Sequence, residues 1–273
     1  MKNRALAIPH IVWSLVFIVV PLCFVLYFAF TDDSGAFTLE WIVQIGKYWG
    51  VFARSLKLAF IATIICLVVG YPMAYIISRC SWISQRTLVM LIMLPMWMNF
   101  LLRTYAWMTL LERNGIINNL LEALGIFRLL GITEPLKMIN TEGAVIIGMV
   151  YNFLPFMIIP LYNIMQKIDN SLVEAARDLG CAMPGVFRRV LLPLSVPGIV
   201  NGITMVFVPA ASTFVISQKL GGAKNMLIGD LIDTYFMGGE PNFHVGSMLS
   251  LVLMLIILIC MAFMNRDSEE VML

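Results

Sequence analysis

The sequence predicts an all-α membrane protein, a bundle of six transmembrane helices forming a single domain over residues 1–273. Three observations carry that prediction. Of the 273 residues, 60% are hydrophobic and 12% charged, with a mean hydropathy of +0.91. Soluble domains carry about 25% charged residues, so a core bathed in water could not absorb this much apolar surface and a bilayer is the required solvent. The apolar residues fall into six runs, and at about 1.5 Å per residue roughly 20 residues cross a hydrocarbon core of about 30 Å. Finally, one polar island, residues 167–193, is set between two of these runs and carries its own helix start and stop signals.

Residues 8–30 form the first run, preceded by the basic residues Lys2 and Arg4. A cleaved signal peptide would show an apolar core of about 7–15 residues followed by small residues. This run is longer and ends in Tyr27-Phe28-Ala29-Phe30, so it reads as a retained span. Residues 31–53 hold Asp32, Asp33, Glu40 and Trp41 and read as a polar, aromatic loop. The second span covers 56–78 with Pro72 inside it, and a short basic loop, 79–86, leads into a third span at 87–111. Residues 112–141 are the longest loop before the island, with a short interfacial helix expected over 118–130. The fourth span is 143–165, the fifth 194–217 and the sixth 246–264, the last two separated by a polar loop at 218–245. Six crossings place both termini, the 79–86 loop and the island on one side. Lys and Arg are denser there (Arg79, Arg86, Lys167, Arg177, Arg188, Arg189) than in the longer loops opposite, which assigns that side to the cytoplasm.

Inside the island, Ser171 followed three residues later by Glu174 is a capping-box pattern. Leu172, Ala175, Ala176 and Leu179 then share one helical face. Gly180 stands where a helix would stop, because glycine enters the left-handed region at little cost. Pro184 suits the first turn of a second helix carrying Val186, Phe187, Val190 and Leu191 at helical spacing, and Pro193 is expected to end it.

Composition excludes several functions. A net charge of +2 is too small to suggest nucleic acid. The five cysteines show no paired spacing, which argues against a disulfide framework or a CxxC metal site. The 20 methionines are scattered through the apolar runs and read as core and lipid packing. With His10 and His244 as the two imidazoles, a metal centre or proton relay finds little support. No G-x-x-x-x-G-K-[ST] loop occurs, so ATP, if it drives anything here, is bound by another polypeptide. A membrane-embedded enzyme acting on lipid-linked substrates would need clustered acids, histidines or a nucleophile. Asp32-Asp33 is an isolated acidic pair with no histidine beside it in sequence.

Glu174-Ala175-Ala176, Gly180, Val190 and Leu192-Pro193, at their spacing, resemble the EAA loop of ABC-importer permeases, with Val190 where the family has Ile. The resemblance implies a type I importer fold and a cytoplasmic loop docked into a groove on a separate ATPase. Glu174 would orient the docking helix, and Ala175, Ala176 and Gly180 would permit close approach. A surface hairpin that merely joins two spans is the plain alternative. Further stretches, Val69-Gly70-Tyr71-Pro72, Leu154-Pro155-Phe156-Met157, Pro160-Leu161-Tyr162 and residues 144–151, 174–180 and 221–229, are similar to permeases of spermidine/putrescine ABC importers. That similarity implies a second related permease, a dimeric ATPase, an extracytoplasmic polyamine-binding protein and a polyamine solute. Permeases of the same machinery for other small solutes share much of the pattern.

A path for solute is sought among prolines and polar residues inside the spans. Prolines within the membrane, at 9, 21, 72, 95, 155, 160, 197 and 209, free backbone carbonyls that protein or a water-filled cavity must satisfy where they lie inside a helix. Membrane helices are also richer in proline generally. Asn99, Arg103 and Trp107 recur at i, i+4 and i+8 on the third span, Tyr151 and Asn152 precede Pro155 on the fourth, and Ser212 and Thr213 follow Pro209 on the fifth. These residues, with Trp97, are the candidate path. Inter-helix hydrogen bonding is an equal reading for Asn99 and Asn152, and Arg103 either lines water, pairs with a carboxylate or snorkels. Aromatic faces at Trp97, Trp107 and Tyr151 suit ammonium groups. Glu112, Glu142, Asp230 and Asp233 are candidates for an acidic outer mouth, or are ordinary solvated loop charges.

Overall fold

The computed structural model describes residues 4–131 and 134–270. Lys2 lies outside them, as do the side chains of Arg4 and Arg266. In lipid each backbone polar group must find a partner within its own segment, which favours helices. Among the described residues the extended pairing is confined to one isolated bridge, Thr31 with Phe37.

Helix α1 (Pro9–Phe30) is followed by α2 (Glu40–Ser78). Next come α3 (Trp82–Met93), α4 (Phe100–Leu111), α5 (Ile116–Ala123) and α6 (Ile126–Leu130). The chain continues as α7 (Glu142–Met165), α8 (Asn170–Asp178), α9 (Met183–Ala211), α10 (Ile228–Met237) and α11 (Phe243–Met264). Among the described residues five of these are long and apolar enough to cross a membrane, and the bent pair Trp82–Trp97 and Phe100–Ala123 brings the count to six when taken as one span.

The centre is the trio α2, α7 and α9. Lipid tails are as apolar as leucine, so close packing rather than water exclusion holds such helices together. Met157 of α7, fully buried, is seated between Gly70 of α2 and Gly202 of α9. A Cβ on Gly202 would lie 2.6 Å from the Met157 Sδ, so a side chain there would push Met157 from its seat. The Tyr71 and Ser195 hydroxyls, 2.9 Å apart and buried, tie α2 to α9. Helix α1 packs chiefly along α11. His244 clasps that pair: Nδ1 is 2.9 Å from the Phe28 carbonyl, Nε2 is 3.3 Å from Asp33, and the ring stacks on Trp41 at 5.5 Å.

Four expectations are corrected. The loop expected over 31–53 gives way to helix at Glu40, because Trp41 and Ile45 find an apolar seat against Ala29 and Met248. The third span is not continuous. It runs through a tight 3-10 turn at Leu94–Trp97, carrying Pro95, and restarts at Phe100 after a 90° bend. Pro193 does not end a helix, since α9 runs from Met183 to Ala211. A π turn at Phe187–Leu191 widens the coil just before Pro193, where the ring has no N–H to offer and would crowd the carbonyl one turn back. Finally, the fifth span breaks at residues 212–214, after Pro209, and resumes in a short segment ending in the π turn Ser217–Gly221.

Candidate functional site

The island folds as a helical hairpin of α8 and the first turns of α9. Its N-cap is Asp169, not Ser171: the Asp169 carboxylate accepts from the Ser171 N–H at 3.0 Å, and this hydrogen bonding holds its pKa below the usual carboxylate range. Ser171 therefore sits inside the first turn, and the capping box expected with Glu174 does not form. Gly180, at φ +81°, ends the helix as expected. The Cys181 N–H reaches the Ala176 carbonyl at 3.0 Å and the Gly180 N–H the Arg177 carbonyl at 2.8 Å, the paired bonds of a Schellman stop. Pro184 opens α9 as its spacing suggests.

The apolar stripe expected on α8 divides in two. Val173 and Ala176 turn inward onto a cluster of Ile168, Val186 and Leu191, with Val190 at its edge. Leu172, Ala175 and Leu179 turn outward, Leu179 being 86% exposed. Glu174 is exposed beside them, as is Pro193 on α9, and Leu192 is half-buried. Arg79, at the start of the 79–86 segment that the sequence marked only as a basic loop, anchors the hairpin, and Gln85 ties the same segment to α7. The Arg79 guanidinium donates to the Ile168 carbonyl at 3.2 Å and to the Asn170 side chain, and lies 5.5 Å over the Tyr75 ring. Gln85 donates to the carbonyls of Ser78 and Cys80 and accepts from the Tyr162 hydroxyl of α7.

The path candidates separate. Asn99 is not on the face of α4 but is its N-cap, accepting from the Leu101 and Leu102 N–H groups at 2.8 and 3.4 Å. Trp97 is 69% exposed on the 3-10 turn. Trp107 and Tyr151 do meet, edge to face, with centroids 5.2 Å apart. Asn152 is buried and donates to the Gly148 carbonyl of its own helix at 2.9 Å. Arg103 is 8% exposed, 5.7 Å from the Phe100 ring, with Nε and Nη1 sealed and unpartnered. Ser212 is exposed and donates to the Val208 carbonyl at 3.1 Å, while Thr213 is buried. Ser212 and Asp233 line one cavity of about 690 Å³ between α9, α10 and α11, together with Phe214, Phe236 and Ser250.

Two of the four acidic candidates at the far end, Glu142 and Asp230, are engaged. Glu142 pairs with Lys57 at 3.0 Å and Arg54 at 3.9 Å. Asp230 is 1% exposed and accepts from the Leu227 N–H at 2.8 Å, so it is no mouth residue in this chain. Burial pushes its carboxyl up to about 6. Glu112 stays exposed on the wall of a cleft of about 920 Å³ that also holds Arg113, Lys137 and Lys224.

Five long apolar helices and a bent pair, packed around the trio α2, α7 and α9, define a membrane-embedded protein. Residues 66–266 match the family described as binding-protein-dependent transport system inner membrane component, and the chain belongs to that family. It is 39% identical to the spermidine/putrescine transport system permease protein PotB of Haemophilus influenzae, over 88% of this chain and 84% of the relative. It is 38% identical to PotB of Escherichia coli, over 82% and 83%. In fold it resembles a subunit of a bacterial ABC transporter involved in the import of the acidic polysaccharide alginate (TM-score 0.79, 16% identity, 97% of this chain and 94% of that one). The chain is a permease subunit of an ABC importer in the inner membrane.

Proposed function

We propose that this permease imports polyamines of the spermidine/putrescine class. It would form its path with a second related permease, receive solute from an extracytoplasmic binding protein, and be driven by a dimeric ATPase that grips the island from the cytoplasm, where both termini also lie. The observation that carries the coupling is the hairpin. Its inner face is half-buried on Ile168, Val186 and Leu191 and pinned through Arg79, while Leu172, Ala175 and Leu179 stand bare beside Glu174. A short helix with one bare apolar edge suits helix-in-groove docking. ATP-driven closure of the ATPase would push this lever, and through the unbroken helix from Met183 it would move α9 against α2 and α7.

The relatives support the polyamine reading, and so does the chemistry of two places in the bundle. The Trp107–Tyr151 pair offers aromatic faces to an ammonium group. The cavity holding Asp233 sets one carboxylate among Phe214, Phe236, Ser212 and Ser250, apolar wall for methylene chain and charge for amine. Reconstitution with the partner subunits tests the proposal. Spermidine-loaded binding protein should stimulate ATP hydrolysis, and no stimulation by any polyamine would overturn the solute assignment. Trp107→Ala and Tyr151→Ala should each lower uptake about tenfold with assembly intact. Unchanged uptake in both would remove the aromatic pair from the path.

A further inference from the structure

Helix α4 turns an unusual face outward. Leu102 (63% exposed), Tyr105, Ala106 and Thr109 recur at i, i+3, i+4 and i+7, two of them small enough for a neighbouring helix to come close. On that face the Lys219 ammonium lies 5.6 Å over the Tyr105 ring. Behind it, on the same helix, Arg103 is buried with two guanidinium nitrogens unpartnered. Among the described residues neither cation is within ion-pair distance of a carboxylate. The chain has no acid to offer them from its neighbouring spans: no Asp or Glu occurs between Glu40 and Glu112, between Glu142 and Asp169, or between Asp178 and Asp230. A buried guanidinium and a half-exposed ammonium on one wall, with no acid beside them, call for compensation from outside the chain.

We propose that this face, centred on Tyr105 with Lys219 above it and Arg103 behind, is the seat of a second membrane chain that brings a carboxylate to the same depth. The inference rests on the reading that a second permease completes the importer, and adds the chemistry by which that permease is chosen. Two copies of this chain meeting through the face would set cation against cation, so the charges also reject self-pairing. A polycationic solute is a poor occupant for the same reason.

The test uses the assembled importer. A photocrosslinking amino acid replacing Leu102 should capture the second permease and not another copy of this chain. Lys219→Gln with Arg103→Gln should lower the second permease recovered with this chain about tenfold, at unchanged abundance in the membrane. Lys219→Arg should keep it, which a merely disturbed fold would not explain. Adducts confined to lipid, adducts between two copies of this chain, or a double variant that assembles normally while its solute KM shifts would each overturn the proposal. A wild-type chain that recovers no second permease would instead overturn the subunit composition proposed above.

Discussion

The island hairpin and the bent third span are built from the same devices and placed in different settings. Each has a capped helix start, Asp169 for α8 and Asn99 for α4, and each has a turn that redirects the chain. In the hairpin both arms close on one small core, and Arg79 bolts the corner to α2. In the third span the arms have no small core of their own. Helix α3 rests Leu88, Val89 and Ile92 on the bundle's main core without burying a residue fully, whereas α4 sinks Arg103, Thr104 and Leu111 into it. A corner with its own core moves as one piece, and a corner resting on the bundle follows its neighbours. The hairpin is therefore suited to transmit force and the third span to follow the helices it lies on.

The largest effect should come from blocking the hairpin's outer edge. Gly180 has open space around its Cα but a φ of +81°, which L residues reach only at a cost of about 1–2 kcal/mol. Gly180→Trp adds that strain and a bulky ring beside Leu179. Recovery of the ATPase with this chain should fall to background while insertion is unchanged. Gly180→Asn, whose side chain tolerates the left-handed region, should keep most of it. Equal recovery in the Trp variant would mean that the hairpin is not gripped there.

A smaller effect is expected at the bolt. Arg79→Ala removes two charge-assisted hydrogen bonds, to the Ile168 carbonyl and to Asn170. Part of the site is open to solvent, so about 1–2 kcal/mol of local stability is at stake. Amide exchange over Ser171–Asp178 should accelerate by roughly tenfold, and transport should fall more than ATPase binding. If exchange over α8 is unchanged, the hairpin is held by its own core alone and the contrast with the third span rests on burial only.

How much of this was legible in the sequence follows the same divide. The hairpin's stop at Gly180 and start at Pro184 are local events, decided by backbone preferences within a few residues, and the sequence displays them. The six crossings are visible because apolar length is a property of each run alone. The bend at Leu94–Trp97 is not visible as a break, because Leu94-Pro95-Met96-Trp97 is as apolar as any span interior. Asn99 looked like a path residue on a continuous helix, and only the restart of the chain at Phe100 makes it a cap. The Ser171–Glu174 spacing marks Ser171 as the cap, and only the start of the backbone helix at Asn170 makes Asp169 the cap instead. Asp230 read as loop charge because nothing in its neighbours announces that Leu227 and Ile228 will be fully buried. Lys219 reads from the sequence as an ordinary loop cation, because its partner, the Tyr105 ring, lies far away in sequence.

The smallest expected effect is also the sharpest probe of the bend. Asn99 holds the start of α4 through its side-chain carbonyl, which Asp would reproduce and Ala would not. Asn99→Ala should cost about 1 kcal/mol, and because the cap fixes where α4 begins, the loss should appear as fraying toward Arg103 rather than as general instability. Asn99→Asp should restore stability if the residue acts as a cap. If Asn99 instead contacts the solute, Asp would attract a polyamine and raise its affinity, while Ala would leave stability untouched and change KM alone. Comparing Asp169→Ala with Asn99→Ala then separates the two corners. The first should weaken coupling to the ATPase with the path intact, and the second should alter uptake with the ATPase still bound.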